Sequence, residues 1–216
     1  MRVEIWADVV CPWCYIGKRR FAAALEGFAH RDEVEVVYRS YELDPFAPAV
    51  GSETTLAVLG RKFNADDAGT REMMGRVDDL ARAEGLEFDY EHALHARTLT
   101  AHRLIHLARA EGGAAAQDAI VEALMAAYFT RGASLGDPQT LRDAAADAGL
   151  GADRVEQVLG SEEFLDDVLA DVAQARAYGS SGVPFYVVDG RYGISGAQPT
   201  ELFAQALDQA WETREG

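Results

Sequence analysis

Hydrophobic and polar residues alternate at the start of the chain. Val3 and Ile5 are set against Arg2 and Glu4, and a more apolar run follows to Val10. That period of two predicts a strand over Met1–Val10. At Cys11 the period becomes helical: Ile16, Phe21, Leu25 and Phe28 form an apolar stripe, with Lys18, Arg19, Arg20 and Glu26 mostly off it. The β-branched stretch Glu33–Arg39 predicts a second strand. A β-α-β unit of this length fits a right-handed parallel crossover.

Asp44-Pro45 and Pro48 then break the pattern, and helical signals take over. Helices are predicted over Thr54–Phe63 and over Asp66–Glu84, where Met73, Met74, Val77, Leu80 and Ala81 recur at helical spacing before the stop at Gly85. Thr98 caps a helix ending near Gly112, and another runs over Ala115–Thr130. Asp137-Pro138 opens the next, which ends at Gly149. Ala152–Leu159 and Glu162–Tyr178 complete the block. Strands return in a hairpin, Phe185–Val188 and Arg191–Ile194, whose Asp189-Gly190 supplies the positive φ of a type I′ turn. Pro199-Thr200-Glu201 opens a last helix with Leu202, Phe203, Ala206, Leu207 and Trp211 inside it. The predicted organisation is α/β. Residues 1–47 and 180–216 form one discontinuous sheet domain, and residues 48–179 a helical insertion.

Composition narrows the function classes. The 216 residues are 49 % hydrophobic, enough for a core, and carry 20 basic against 36 acidic side chains, a net charge of −16. Nucleic acid and anionic membrane surfaces call for a basic patch, so neither is expected as a partner. No apolar segment reaches the roughly 20 residues of a membrane span, and the N-terminus reads as a strand rather than a secretory signal. The expected setting is cytoplasmic. Cys11 and Cys14 are the chain's only cysteines, and their C-x-x-C sits at a strand-to-helix junction. In a reducing compartment such a pair is more often catalytic or metal-binding than a structural staple. His92, His95, His102 and His106 offer H-x2-H and H-x3-H spacings. No second C-x-x-C exists and Cys14 is far from His102 in sequence, so no metal is expected. Asp8 reads as a polar strand end, with proton transfer the weaker alternative.

The β-α-β unit with C-x-x-C at the head of its first helix, followed by a hairpin and a last helix, resembles the thioredoxin arrangement. The helical insertion resembles its DsbA-like branch. Asp8-Val9-Val10-Cys11-Pro12-Trp13-Cys14, Ala101-His102-Arg103-Leu104 and the run Gly182–Gly190 ending in Gly193–Pro199 are similar to the FrnE-like members, associated with polyketide biosynthesis as dithiol–disulfide isomerases. Where that branch has Asn near the start of the Ala101-His102-Arg103 helix, this chain has Arg97.

The resemblance implies a thioredoxin-like fold and a thiol–disulfide oxidoreductase or isomerase. Cys11 is then the attacking thiol and Cys14 the resolving one. Cys11 falls near the N-cap and Pro12 near N1, where a thiolate meets unpaired N–H groups and the positive end of the helix dipole. Pro184 is implied to be the cis-proline, leaving the Val183 backbone free to pair with substrate. Trp13 stands where the strongly oxidising DsbA type has His, which implies a less oxidising dithiol. The redox-active Cys11–Cys14 pair needs no other cofactor, and glutathione is a possible co-substrate. Implied partners are thiol- or disulfide-bearing proteins or small molecules, and the chain is a monomer or homodimer. The insertion is expected to cover the dithiol.

Two other functions fit less well. The 2-hydroxychromene-2-carboxylate isomerases and kappa-class glutathione transferases share the inserted fold and use glutathione, but generally do not keep both cysteines. A holdase-like module or zinc carrier would leave the dithiol incidental.

Overall fold

In a computed structural model describing residues 1–89 and 91–214, the two ends of the chain meet in one four-stranded sheet. Its strands are β1 (Arg2–Ala7), β2 (Glu35–Ser40), β3 (Phe185–Val188) and β4 (Tyr192–Ser195), ordered β2-β1-β3-β4. β1 runs parallel to β2 and antiparallel to β3, and β3 and β4 form an antiparallel hairpin. Helix α1 (Pro12–Gly27) makes the crossover from β1 to β2, and six helices separate β2 from β3. These are α2 (Thr55–Phe63), α3 (Asp67–Ala83), α4 (Leu99–Phe129), α5 (Pro138–Asp147), α6 (Ala152–Leu159) and α7 (Leu165–Ala177); α8 (Thr200–Glu212) follows β4. None of them is long and apolar enough to cross a membrane. The fold is thioredoxin-like, with the large helical insertion of the DsbA type.

Several boundaries differ from the sequence pattern, each for a local reason. β1 stops at Ala7 because the Cys11 N–H donates to the Asp8 carbonyl at 3.0 Å, turning the apolar Val9-Val10 into a connection rather than more strand. β2 starts at Glu35 after a short 3-10 turn over Arg31–Glu33. α7 starts at Leu165, since Phe164 takes a left-handed φ of 65°. The helices expected on either side of Gly112 run on as α4, interrupted at Gly113 (φ 69°, ψ −154°). Asp189 (φ 48°) and Gly190 (φ 66°) turn the hairpin with the positive φ values of a type I′ turn.

The strand pleat sends alternate residues to opposite faces. Val3, Ile5, Tyr186 and Val188 meet Ile16 and Phe21 of α1 and Phe203 and Leu207 of α8. At its centre the ring centroids of Phe21 and Tyr186 lie 5.6 Å apart, and those of Tyr186 and Phe203 4.7 Å. That core is continuous with the helical block through Leu104, Leu107, Ile120 and Leu124. On the opposite face, Trp6 and Val187 pack on Ala175 of α7, and the Trp6 indole donates to the Asp171 carbonyl at 2.8 Å.

β2 is an edge strand, and the insertion covers its outer side. Gln117 of α4 accepts from the Tyr38 N–H at 3.0 Å and donates to the Tyr38 carbonyl at 2.9 Å. Asp171 of α7 accepts from the Ser40 N–H at 2.9 Å.

Candidate active site

Cys11 is the N-cap of α1, with extended φ/ψ (−92°, 115°), and Pro12 opens the helix where a missing N–H costs nothing. The Cys14 and Tyr15 N–H groups reach back to the Cys11 carbonyl at 3.0 and 3.3 Å. Cys11 and Cys14 are both free thiols, 4 % and 2 % exposed, while Trp13 between them is 40 % exposed and forms part of the mouth of the site.

The Val183–Pro184 peptide is cis. The loop carrying it lies against the dithiol, and the Cys11 thiol donates to the Val183 carbonyl at 3.6 Å. Gly17 makes this approach possible. A Cβ there would stand 2.6 Å from the Tyr186 hydroxyl and 3.2 Å from Pro184 Cγ.

Beneath the cysteines lies a buried acid. Asp8 is 1 % exposed; its Oδ2 accepts from the Leu43 N–H at 2.7 Å, and its Oδ1 faces His102 of α4. Burial pushes the Cys14 thiol well above its ordinary range. Its hydrogen bond and charge interaction with Cys11 add to this, as does the Asp8 carboxylate, while a hydrogen bond to the Asp8 backbone works the other way. A thiol shielded in this way suits the resolving position of an exchange rather than first attack.

α1 is anchored to α4 by an ionic cluster. The Tyr15 hydroxyl donates to Glu122 at 2.6 Å, Arg19 pairs with both Glu122 oxygens, and Lys18, only 8 % exposed, bridges Asp118 (2.8 Å) and Glu122 (3.1 Å). Burial would raise the Glu122 carboxyl, but hydrogen bonds from Arg19 and Tyr15 and the charge of Lys18 outweigh it and hold the pKa at about 2.

The Ala101-His102-Arg103-Leu104 stretch is an interior stitch. Ala101 and Leu104 are fully buried, His102 faces Asp8, and Arg103 donates to the carbonyls of Val158 in the last turn of α6 and of Ser161 and Glu163 beyond it. His106, one turn on, lies 3.0 Å from Asp171. Arg97 pairs with the buried Glu42 at 2.9 Å. His92 pairs with Asp89 and His95 with Asp44, so the four histidines face different carboxylates. Among the described residues no three His, Cys, Asp or Glu side chains converge as metal ligands.

In front of Cys11 opens a mostly apolar cavity of about 570 Å³, walled by the start of α1, the Val183 loop, α2 and α3. Cys11, Pro12, Trp13 and Val183 line this cavity together, with Cys14 behind Cys11 and Pro184 packed beside Gly17. Sequence reasoning missed the facing of His102 on Asp8, the structural use of Lys18 and the need for glycine at position 17. Only Gly17 left a trace: a glycine within a strongly helical stretch is itself a sign of close approach.

Residues 2–208 match the DSBA-like thioredoxin domain family, and the chain belongs to that family. It is similar to a probable DsbA oxidoreductase from Streptomyces coelicolor, with 42 % identity, a TM-score of 0.93 and coverage of 100 % of this chain and 92 % of that one. The cytosolic disulfide reductase DsbM from Pseudomonas aeruginosa, solved with GSH, aligns at TM-score 0.69 and 15 % identity over 98 % of this chain and 100 % of its own. A 2-hydroxychromene-2-carboxylate isomerase aligns at 0.65 and 14 % over 98 % and 97 %. These last two likenesses are of fold.

Proposed function

We propose that the protein is a cytoplasmic thiol–disulfide oxidoreductase or isomerase in which Cys11 attacks the substrate disulfide and Cys14 resolves the mixed disulfide. The observation that carries this reading is the placement of Cys11 at the N-cap of α1 with its sulfur 3.6 Å from the Val183 carbonyl. An incoming disulfide meets the helix N-terminus on one side and the backbone of the Val183-Pro184 loop on the other. Cys11 also stands at the positive, N-terminal end of the α1 dipole. We take residues 1–47 and 180–216 as the catalytic domain and 48–179 as the insertion that shapes its approach. The pair of cysteines favours dithiol exchange over a glutathione-dependent isomerisation, which needs no second thiol; glutathione remains a candidate co-substrate.

Quenched single-turnover exchange followed by mass analysis tests this. Reduced wild-type protein mixed with bis(2-hydroxyethyl) disulfide ends as the Cys11–Cys14 disulfide. Cys14→Ala stops at a mixed disulfide on Cys11, and Cys11→Ser does not react at an appreciable rate. An unimpaired Cys11→Ser variant would sink the reading. The dithiol potential then sets the direction: a value near about −270 mV marks a reductase and one near about −180 mV an isomerase.

A further inference from the structure

We infer that the substrate of this site is a small, flat, apolar disulfide carrying an anionic group, rather than a polypeptide disulfide. The inference rests on the dithiol reading above and names its substrate class.

The cavity in front of Cys11 holds about 570 Å³, inside the roughly 300–1,000 Å³ range of small-molecule sites. Cys11 is only 4 % exposed, so a bulky protein disulfide meets little of its sulfur, whereas a molecule entering the cavity lies directly against it. The walls are apolar and adaptable. Val58 and Leu59 of α2 and Met73, Met74 and Val77 of α3 line them. Methionine sulfur packs favourably on aromatic rings and adjusts to their shape. Trp13, at the mouth, offers a flat partner surface.

Charged groups of both signs line the cavity: the carboxylates Asp8 and Asp44, and the cations Lys62 and Arg76. Net charge is −16, yet Lys62 lines this cavity, exposed and in no ion pair among the described residues, with its charge felt by Asp44 across the same cavity. Arg76 lines it as well, its charge shared with Glu72 at 2.7 Å. The rim carboxylate Asp44 is matched by His95 at 2.9 Å. An anion on a molecule whose apolar body fills the cavity meets Lys62.

The exchange balances without a further reagent. The Cys11 thiolate attacks one sulfur of R–S–S–R′, forming Cys11–S–S–R and releasing R′S⁻. Cys14 loses its proton and attacks the Cys11 sulfur, releasing RS⁻ and leaving the Cys11–Cys14 disulfide. Two electrons pass from the protein dithiol to the substrate disulfide.

Stopped-flow single turnovers of the reduced full-length protein test the inference with three probes. These are 5,5′-dithiobis(2-nitrobenzoate), which is aromatic and anionic; bis(2-hydroxyethyl) disulfide, neutral and aliphatic; and insulin, a polypeptide. The expected result is a rate that saturates with the aromatic anion, revealing a bound complex, and rises linearly with the neutral disulfide. Lys62→Glu should raise the half-saturating concentration of the aromatic anion about tenfold, and Phe63→Ala, on the same rim, should raise it more modestly. A linear rate with the aromatic anion, or an unchanged half-saturation in Lys62→Glu, overturns the inference, as does saturation by insulin at lower concentration. Failure of the reduced protein to exchange with any of the three overturns the dithiol reading instead.

Discussion

His102 Nε2 stands 3.5 Å from Asp8 Oδ1, and each side chain is 1 % exposed. The insertion thus presses an imidazole against the acid that lies beneath the dithiol, at a distance too long for a strong hydrogen bond. Neither Asp8 Oδ1 nor either His102 ring nitrogen has another hydrogen-bond partner among the described residues. Removing a fully buried imidazole empties interior volume and takes away the group facing the Asp8 oxygen, so His102→Ala should destabilise the protein by about 1–3 kcal/mol in urea unfolding.

Asp8 has a distinct effect on Cys14. Its carboxylate is among the influences that push the Cys14 thiol upward, so Asp8→Asn should make Cys14 ionise at lower pH. The measurement is thiolate absorbance near 240 nm against pH, comparing Cys11→Ser with Cys11→Ser/Asp8→Asn. A titration that stays in place or moves upward would contradict this account of the site's electrostatics.

Trp13 separates the cysteines and is 40 % exposed. Placing an imidazolium there stabilises a neighbouring thiolate and therefore the reduced dithiol. Trp13→His should raise the potential by about 30 mV for every tenfold gain in the equilibrium constant. Equilibration against glutathione redox buffers reads the shift directly, and an unchanged or lower potential would rule this out.

Gly17 allows α1 to approach Tyr186 and Pro184. An added methyl must displace one of them, so Gly17→Ala should cost about 1–3 kcal/mol despite alanine's better helix propensity. It should also slow attack by Cys11, whose position depends on the same loop. Thermal unfolding and the single-turnover rate check the two halves separately, and a stabilised variant would contradict the close approach.

Glu122 makes stability depend on acid. Its pKa falls from 4.5 to about 2 on folding, so the stabilisation it contributes is fully present above about pH 4.5 and is lost as pH falls toward 2. For a partly exposed group this amounts to about 1–2 kcal/mol after screening. Urea midpoints measured between pH 5 and pH 2.5 should fall less steeply in Glu122→Gln than in the wild type.

The thioredoxin frame was legible because its signals are local. Val3 and Ile5 alternate, Asp189-Gly190 fixes a two-residue turn, and Pro12 after Cys11 marks a helix start. Val9 and Val10 misled for the same reason: apolar and β-branched, they look like strand, yet a single hydrogen bond from Cys11 to Asp8 folds them into a turn. His102 could not be matched to Asp8 from spacing, because their meeting depends on how α4 packs against the β2 side of the sheet. Lys18 looked like part of a solvated basic face. It is buried because Asp118 and Glu122 reach it from α4.

The outer rungs of β2 at Tyr38 and Ser40 are taken by side chains, an amide from α4 and a carboxylate from α7. Side chains there imitate a fifth strand without supplying one. A neighbouring molecule therefore finds no free backbone ladder at those rungs, and the helical insertion, besides walling the cavity in front of Cys11, guards this border against edge-to-edge polymerisation.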